Sequence, residues 1–142
     1  MYDLVLTFLF TETGLVYSWG ANDLGQLGTG TVKPLDRPTL VKIEEKIAFV
    51  ACGTKHTMAI SEVGNLYTWG GGWAGQLGDE VTTINNSSPK KIILDVQWKE
   101  VYGGDNCSYG ITSSFRSPFP FEIFPIFNFP LLQREIKYIL GD

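Results

Sequence analysis

One phrase occurs twice in this chain of 142 residues. The segment GLVYSWGANDLGQLGTG, residues 14–30, returns as GNLYTWGGGWAGQLGDE, residues 64–80. Gly64 follows Gly14 by 50 residues, and Trp69 follows Trp19 by the same distance. A fixed period of this length is typical of stacked supersecondary units or of the blades of a propeller. The period therefore constrains the architecture more than any other feature of the sequence.

Each repeat contains four short segments rich in aromatic and β-branched residues, a composition that favours strands. In the first segment, Leu15, Tyr17 and Trp19 share one face, and Val16 and Ser18 share the other. The predicted strands are 15–19, 39–43, 47–52 and 56–61 in the first repeat, and 65–69, 90–94, 98–103 and 107–112 in the second. Four strands per fifty residues, with no helical periodicity in the unit, predict an all-β propeller blade.

A Gly-rich loop follows the first strand of each repeat, WGANDLGQLG or WGGGWAGQLG. We expect its glycines to serve loop geometry, its glutamines to satisfy loop backbone groups, and its tryptophans to fill space between blades. A further glycine opens the turn before the last strand of each repeat. The residues with these structural roles are Trp19, Gly20, Gly25, Gln26, Gly28, Gly53, Trp69, Gly70, Gly75, Gln76, Gly78 and Gly104.

The ordered phrase G-x-x-Y-x-W-G, G-Q-L-G, P and V-A-C-G-x-x-H-T-x-A-I resembles the repeats of the regulator of chromosome condensation family. The resemblance covers residues from about Phe8 to Thr112. It implies a β-propeller of the seven-bladed type with four antiparallel strands per blade. Propellers of this family serve as guanine-nucleotide exchange factors, as docking modules and as a plant light receptor. The light receptor requires tryptophans just before the histidine of the motif, where this chain has Thr54 and Lys55.

The repeats divide the chain into four segments: a stub of a preceding blade (1–13), repeat 1 (14–63), repeat 2 (64–114) and a Phe/Pro-rich tail (115–142). Four prolines within residues 118–130 predict an irregular tail, with a short amphipathic helix over residues 131–140. The tail is either a docking peptide or, the alternative we favour, read-through in an incomplete gene model. We therefore expect a fragment with two to two-and-a-half four-stranded blades. Its open edges need further blades or self-association as cover.

Composition excludes several kinds of activity. The net charge is −4 and no basic run exceeds Lys90-Lys91, so direct nucleic-acid binding is not expected. The N-terminal segment MYDLVLTFLF is too short to span a membrane and lacks the positive charge of a signal peptide. Cys52 and Cys107 are predicted to be buried free thiols, which favours a cytoplasmic or nuclear location. A single histidine without a matching nucleophile or metal-ligand pattern predicts no catalytic residue, no metal and no cofactor, hence no enzyme.

Five residues are candidates for partner contact. In the exchange factors that the chain resembles, acidic and histidine residues before the last strand of a repeat line the face that engages a small GTPase. Trp73 and Asp23 stand at matched positions of the Gly-rich loops, and an aromatic side chain there is often exposed. The candidates are His56, Lys55, Asp105, Trp73 and Asp23. We expect a protein-protein interaction module. The alternatives are an exchange factor for a Ran-like small GTPase and a nonfunctional fragment.

Overall fold

A computed structural model of the protein describes residues 7–79, 85–113 and 122–125, and within these ranges every regular element is a β-strand. The elements are β1 (Thr7–Phe10), β2 (Val16–Gly20), β3 (Leu35–Val41), β4 (Ile47–Cys52), β5 (His56–Ser61), β6 (Leu66–Gly71), β7 (Asn85–Ile92), β8 (Gln97–Gly103), β9 (Ser108–Ser113) and β10 (Glu122–Pro125).

The strands form three antiparallel sheets, which we call the first, central and third sheets. Their strand orders are β1-β2-β3, β4-β5-β6-β7 and β10-β9-β8. The central sheet is a four-stranded blade that takes its first hairpin from repeat 1 and its second from repeat 2. A blade therefore combines strands of two successive repeats, whereas the sequence predicted that all four strands of a blade come from one repeat. The chain is an all-β, partial β-propeller.

β1, which was expected to belong to a preceding blade, lies in the same sheet as β2. β1 pairs with β2 in antiparallel register, with Phe8 opposite Ser18 and Phe10 opposite Val16. The turn between them is closed by the Gly14 amide, which donates to the carbonyl of Thr11 at 2.9 Å. β1 therefore shares the first sheet with β2 and β3.

The strands β3 and β7 begin earlier than predicted, and each contains the proline that was expected to precede it. Pro38 lies in β3 and Pro89 in β7. Both strands are the last in the order of their sheets. Proline is tolerated there because an outer strand has amide groups that donate to no neighbour. The registers also shift between Ser18 and Gly20 and between Thr68 and Gly70, so a bulge falls at the tryptophan of each repeat.

Two hydrophobic clusters join the sheets. One lies between the first and central sheets and contains Val16, Val41, Ile47, Ala59, Tyr67 and Trp69. The other lies between the central and third sheets and contains Met58, Ile60, Leu66, Ile92, Trp98 and Val101. All of β6 is buried, because the central sheet has a neighbour on each face. In β2, by contrast, Val16 and Ser18 are buried while Tyr17 and Trp19 are only half-buried.

The C-terminal part of the described chain contains a further strand, β10. The tail was predicted to be irregular, yet β10 pairs with β9, with Glu122 opposite Thr112 and Pro125 opposite Tyr109. β10 is short and has one neighbour among the described strands, so Pro125 interrupts no ladder that these strands form on its other side. The helix predicted over residues 131–140 lies outside the described residues. Among those that are described, no helix is long and apolar enough to cross a membrane.

Candidate protein-binding face

Loops and turns from all three sheets meet at one end of the strands. We call this end the loop face and define it by residues 21–30, 53–55, 72–79 and 104–107. Strand direction places them together, since β4 and β8 end where β5 and β9 begin, and His56 of β5 pairs with Gly70 of β6. Four of the five candidate contact residues also have exposed or half-exposed side chains here. Those four are Asp23, Lys55, Trp73 and Asp105.

At the first boundary, between the first and central sheets, one backbone carbonyl of the first sheet's loop accepts two side-chain hydrogen bonds from the central sheet. The carbonyl of Gln26 accepts hydrogen bonds from Thr57 Oγ1 at 2.8 Å and from Trp69 Nε1 at 2.9 Å. Trp69 is 0% exposed and lies edge-on to Phe8, with ring centroids 6.4 Å apart. Gly28 leaves room for this indole, because a Cβ there would stand 2.6 Å from Trp69 Nε1. The G-Q-L-G loop of one sheet is therefore shaped around the tryptophan of the next.

The Gln26 side chain extends this contact to the surface. Its Oε1 accepts the Leu24 amide at 2.9 Å, and its Nε2 donates to Asp23 Oδ1 at 2.8 Å. Lys55 Nζ lies 3.0 Å from Asp23 Oδ2, so the ion pair crosses the boundary. The hydrogen bond from Gln26 and the charge of Lys55 hold the pKa of Asp23 below its ordinary value. An exposed carboxylate is in this way tied both to a buried amide and to the neighbouring sheet.

The second boundary, between the central and third sheets, repeats the same backbone contact. The carbonyl of Gln76 accepts a hydrogen bond from Ser108 Oγ at 2.8 Å, and Ser108 is the counterpart of Thr57. Gln76 Oε1 accepts the Ala74 amide at 2.9 Å, as Gln26 does with Leu24. Gln76 Nε2 is buried and has no hydrogen-bond partner among the described residues. The second boundary therefore lacks the hydrogen bond that Gln26 donates to Asp23 at the first, because residue 73 is tryptophan instead of aspartate.

Trp73 is 49% exposed. Its six-membered ring lies against Gly71, where a Cβ would collide with it, and Leu24 of the preceding loop packs beside the same point. Asn106 of the β8–β9 turn occupies the position of Lys55 and is exposed. Both charged members of the first boundary are thus replaced by uncharged residues at the second.

The turns themselves contact one another. Thr54 Oγ1 donates to Asp105 Oδ1 at 2.8 Å, which joins the β4–β5 turn to the β8–β9 turn. Beneath this bond the two backbones approach closely, since a Cβ on Gly103 would lie 2.5 Å from the Gly53 nitrogen. Gly53 and Gly103 therefore serve close approach of adjacent sheets.

The prediction that His56 contacts a partner is wrong, because its imidazole ring is completely buried. It is 0% exposed and lies beneath Gly53. Ser108 Oγ donates to the carbonyl of Gln76, so it accepts from His56 Nε2 at 2.8 Å, which fixes the neutral ring with its proton on Nε2. Burial lowers the pKa of His56 to about 4, because the charged ring would lose its hydration. His56 is a structural link between the central and third sheets.

Sequence reasoning also missed several contacts. Asp23 reaches the β4–β5 turn from 32 residues upstream, through its contact with Lys55, and no sequence pattern indicated this contact. Thr57 and Ser108 were not singled out, although matched hydroxyl residues at one register position were a visible signal. Of the two thiols predicted to be buried, Cys52 is exposed and Cys107 is half-buried, and both are free. Within the described residues no group of three His, Cys, Asp or Glu side chains is placed to hold a metal ion.

Comparison with known proteins agrees with this geometry. The family model for the regulator of chromosome condensation (RCC1) repeat matches residues 13–60 and 63–111. Human E3 ubiquitin-protein ligase HERC2 is 53% identical over 53 residues, which cover 36% of this chain and 1% of HERC2. The RCC2 homolog of Danio rerio is 44% identical over 57 residues, which cover 39% of this chain and 12% of that protein.

Solved structures share the fold. Prp20p of Saccharomyces cerevisiae, described with its binding to Gsp1p and histones, aligns with a TM-score of 0.67 at 21% identity, over 81% of this chain and 33% of that one. Human WBSCR16 aligns with a TM-score of 0.62 at 22% identity, over 84% of this chain and 37% of that one. The chain therefore spans about a third of the length of these propellers and a much smaller share of the curated relatives.

Proposed function

Because the chain belongs to the regulator of chromosome condensation (RCC1) repeat family, we propose that it acts as a protein-protein interaction module that binds its partner at the loop face. The observation that carries this proposal is the half-exposed Trp73, which lies on the loop face beside Leu24 of the preceding loop. Tryptophan is enriched at binding hot spots because it combines a large apolar area with a polar N–H group.

The support beneath this surface is rigid, which favours binding by a preformed site. The loops are pinned by hydrogen bonds that cross both boundaries, from Thr57 to Gln26 and from Ser108 to Gln76. The Gly28 amide donates to the carbonyl of Gly25, and the Gly78 amide donates to that of Gly75, each at 3.0 Å. A site that is already ordered loses less conformational entropy when a partner binds.

Site-specific photocrosslinking tests the proposal. p-Benzoylphenylalanine is placed at Trp73 in one variant and at Val63 in a matched control. Val63 is 62% exposed and lies in the β5–β6 turn at the opposite end of the strands. We expect one discrete crosslinked protein from position 73 and none from position 63. The proposal fails if crosslinks arise equally at both positions, or only at position 63.

Guanine-nucleotide exchange is the second candidate, and the fold shared with Prp20p, whose binding to Gsp1p is described, favours it. Catalysis by exchange needs no covalent intermediate, so the exposed carboxylate of Asp105 and the charge of Lys55 are the groups to test. The assay follows release of a fluorescent GDP analogue from a purified Ran-like GTPase. Exchange predicts faster release that is lost in Asp105→Ala and kept in the opposite-face control Glu62→Ala. An unaltered release rate with the unsubstituted chain excludes this candidate.

A further inference from the structure

The outer strand β7 bulges at a Ser-Ser-Pro segment. In its ladder with β6, Lys90 lies opposite Thr68, and the next paired residue is Asn86, opposite Gly70. Residues 87–89 lie between these pairs and have no partner in the ladder. β7 is also the last strand in the order of its sheet. The described strands therefore leave this segment of β7 outside any ladder, as is usual for the extra residues of a bulge.

Ser88, in the middle of this bulge, is accessible to an enzyme. The residue is exposed, and its backbone amide donates to Asn86 Oδ1 at 3.2 Å. Pro89 restricts Ser88 to extended backbone, and it has no amide hydrogen that a binding cleft would have to satisfy. An accessible hydroxyl on an extended segment, followed directly by proline, is the substrate that a proline-directed serine/threonine protein kinase requires.

Two lysines follow the proline and complete the sequence Ser-Pro-Lys-Lys over residues 88–91. The side chains of Lys90 and Lys91 are 46% and 44% exposed, and they pair with Asp79 at 3.3 Å and Glu45 at 3.0 Å. Ion pairs of partly exposed lysines are weak, so Lys91 can also contact an acidic group of an enzyme. Many proline-directed kinases prefer a basic residue three positions after the acceptor serine, and that position is Lys91.

The first repeat has the same bulge without the hydroxyl group. In β3, residues 36–38 are Asp-Arg-Pro, and they lie between the residues that pair with Gly20 and Ser18 of β2. Arg37 precedes the proline there, at the position that Ser88 has in β7. The two outer strands therefore share the shape of the bulge, and only the one in β7 has an acceptor for a phosphoryl group before its proline.

We propose that Ser88 is a phosphorylation site for a proline-directed serine/threonine kinase, with ATP as the phosphoryl donor. In the transfer, the bond from the γ-phosphorus to the oxygen that bridges it to the β-phosphate breaks and leaves ADP. A new bond forms between the γ-phosphorus and Ser88 Oγ, and the hydroxyl proton passes to a base of the kinase. The site is separate from the partner contacts proposed above and does not depend on them.

A phosphate on Ser88 would stand beside the first Gly-rich loop. The Gly30 amide at the end of that loop donates to the carbonyl of Ser87 at 2.8 Å. A Cβ on Gly30 would lie 3.8 Å from Ser88 Oγ. Phosphorylation adds a charge of about −1.5 to −2 at neutral pH. It would therefore place negative charge next to the loop face, on a chain whose net charge is already −4.

The test combines the full chain with ATP and a purified cyclin-dependent kinase bound to its cyclin. Mass spectrometry of proteolytic peptides follows phosphate at each site over time, because Ser117 also precedes a proline. We expect phosphate on Ser88. The variant Ser88→Ala should abolish this signal, whereas the neighbouring control Ser87→Ala should keep it.

The lysine at the third position after Ser88 is tested by its own substitution. Lys91→Ala should slow phosphorylation of Ser88 by about two- to fivefold, the size of the effect of losing one exposed ion pair with the kinase. The matched control is Lys99→Ala, because Lys99 is an exposed lysine of β8 that lies outside the Ser-Pro-Lys-Lys sequence. We expect this control to leave the rate unchanged.

Val101→Ala distinguishes phosphorylation of the folded chain from phosphorylation of unfolded molecules. Val101 is 0% exposed and lies in β8, in a different sheet from Ser88. Its truncation raises the unfolded population, so a reaction that required unfolding would become faster. We expect the rate at Ser88 to stay the same. The proposal is overturned if Ser88 of the full chain stays unmodified, if Lys91→Ala and Lys99→Ala have equal effects, or if Val101→Ala accelerates the reaction.

Discussion

The two boundaries between neighbouring sheets share one backbone contact and differ in charge. At each, the carbonyl of a motif glutamine accepts a hydroxyl from the next sheet, Thr57 at the first and Ser108 at the second. On the loop face an ion pair between Asp23 and Lys55 crosses the first boundary, whereas the bond across the second joins the Asp105 carboxylate to the uncharged Thr54. The same hydrogen bond to a glutamine carbonyl therefore joins the sheets at both boundaries. The side chains on the loop face above it differ from one boundary to the next.

The same contrast holds at the opposite end of the strands. Glu45, in the turn before β4, accepts hydrogen bonds from Asn65 Nδ2 at 2.9 and 3.0 Å and pairs with Lys91 Nζ at 3.0 Å. Its counterpart before β8 is Val96, which packs against the cluster between the central and third sheets. The first boundary thus has a polar network at each end, and the second has an apolar residue in place of one of them.

The largest effect is expected from removing the tryptophan of the first boundary. Trp69→Ala should lower the free energy of unfolding by about 3–5 kcal/mol, the range for truncating a large buried aromatic side chain. The matched control is Trp19→Ala, since Trp19 is the same motif residue but is only half-buried in the first sheet. Denaturant unfolding measures both variants. Equal losses would contradict the view that a neighbouring sheet, and not the motif, decides how much this residue stabilises.

Substitutions at Gly25 and Gly30 distinguish the cost of backbone strain from the cost of steric overlap at the first boundary. Gly25 and Gly30 have φ of 81° and 84°, so alanine at either position costs roughly 1–2 kcal/mol of left-handed strain. At Gly25 the added Cβ would also lie 2.6 Å from Ser87 Cα, whereas at Gly30 the nearest atom is Ser88 Oγ at 3.8 Å. We expect Gly25→Ala to be more destabilising than Gly30→Ala by thermal unfolding. A smaller loss at Gly25 would show that the loop and β7 separate easily.

Acid should weaken the first boundary through Glu45. Hydrogen bonds from Ser61 and Asn65 and the charge of Lys91 lower the pKa of Glu45 from 4.5 to about 2. The folded state therefore gains stability from this carboxylate above pH 4.5, and loses it as the pH falls from about 4.5 to about 2. Glu45→Gln should flatten the decline of Tm in that window, compared with the control Glu62→Gln on the same face. A decline as steep as in the unsubstituted chain would contradict the role of Glu45.

The smallest effect is expected from the surface ion pair. A double-mutant cycle of Asp23→Asn and Lys55→Met should give a coupling free energy of about 0.2–1 kcal/mol, because both side chains are partly exposed and salt screens them. The coupling should shrink in high salt. The same cycle with Trp73→Ala and Asn106→Met should show no dependence on salt. Coupling at the second boundary that fell with salt would mean that charge acts there too.

The sequence by itself determined the repeat, the family and the all-β propeller architecture. The bounds of β4 and β5 match the expected 47–52 and 56–61. Alternation and turn residues are local properties, so a single sequence expresses them directly. The outer strands β3 and β7 were predicted to start four or five residues too late, because the predicted strands began only after Pro38 and Pro89, and proline is disfavoured inside a strand.

Only the tertiary structure decided which strands share a sheet and which motif residues are accessible. Which four strands form a blade depends on how a hairpin of one repeat pairs with a hairpin of the next. No residue pattern within either hairpin indicates that pairing. His56 attracted attention as the single histidine, yet packing enclosed it beneath Gly53 and left Trp73 half-exposed instead. Exposure is set by what lies across the boundary, and the residues across it, such as Asp23 and Lys55, are far apart in the chain.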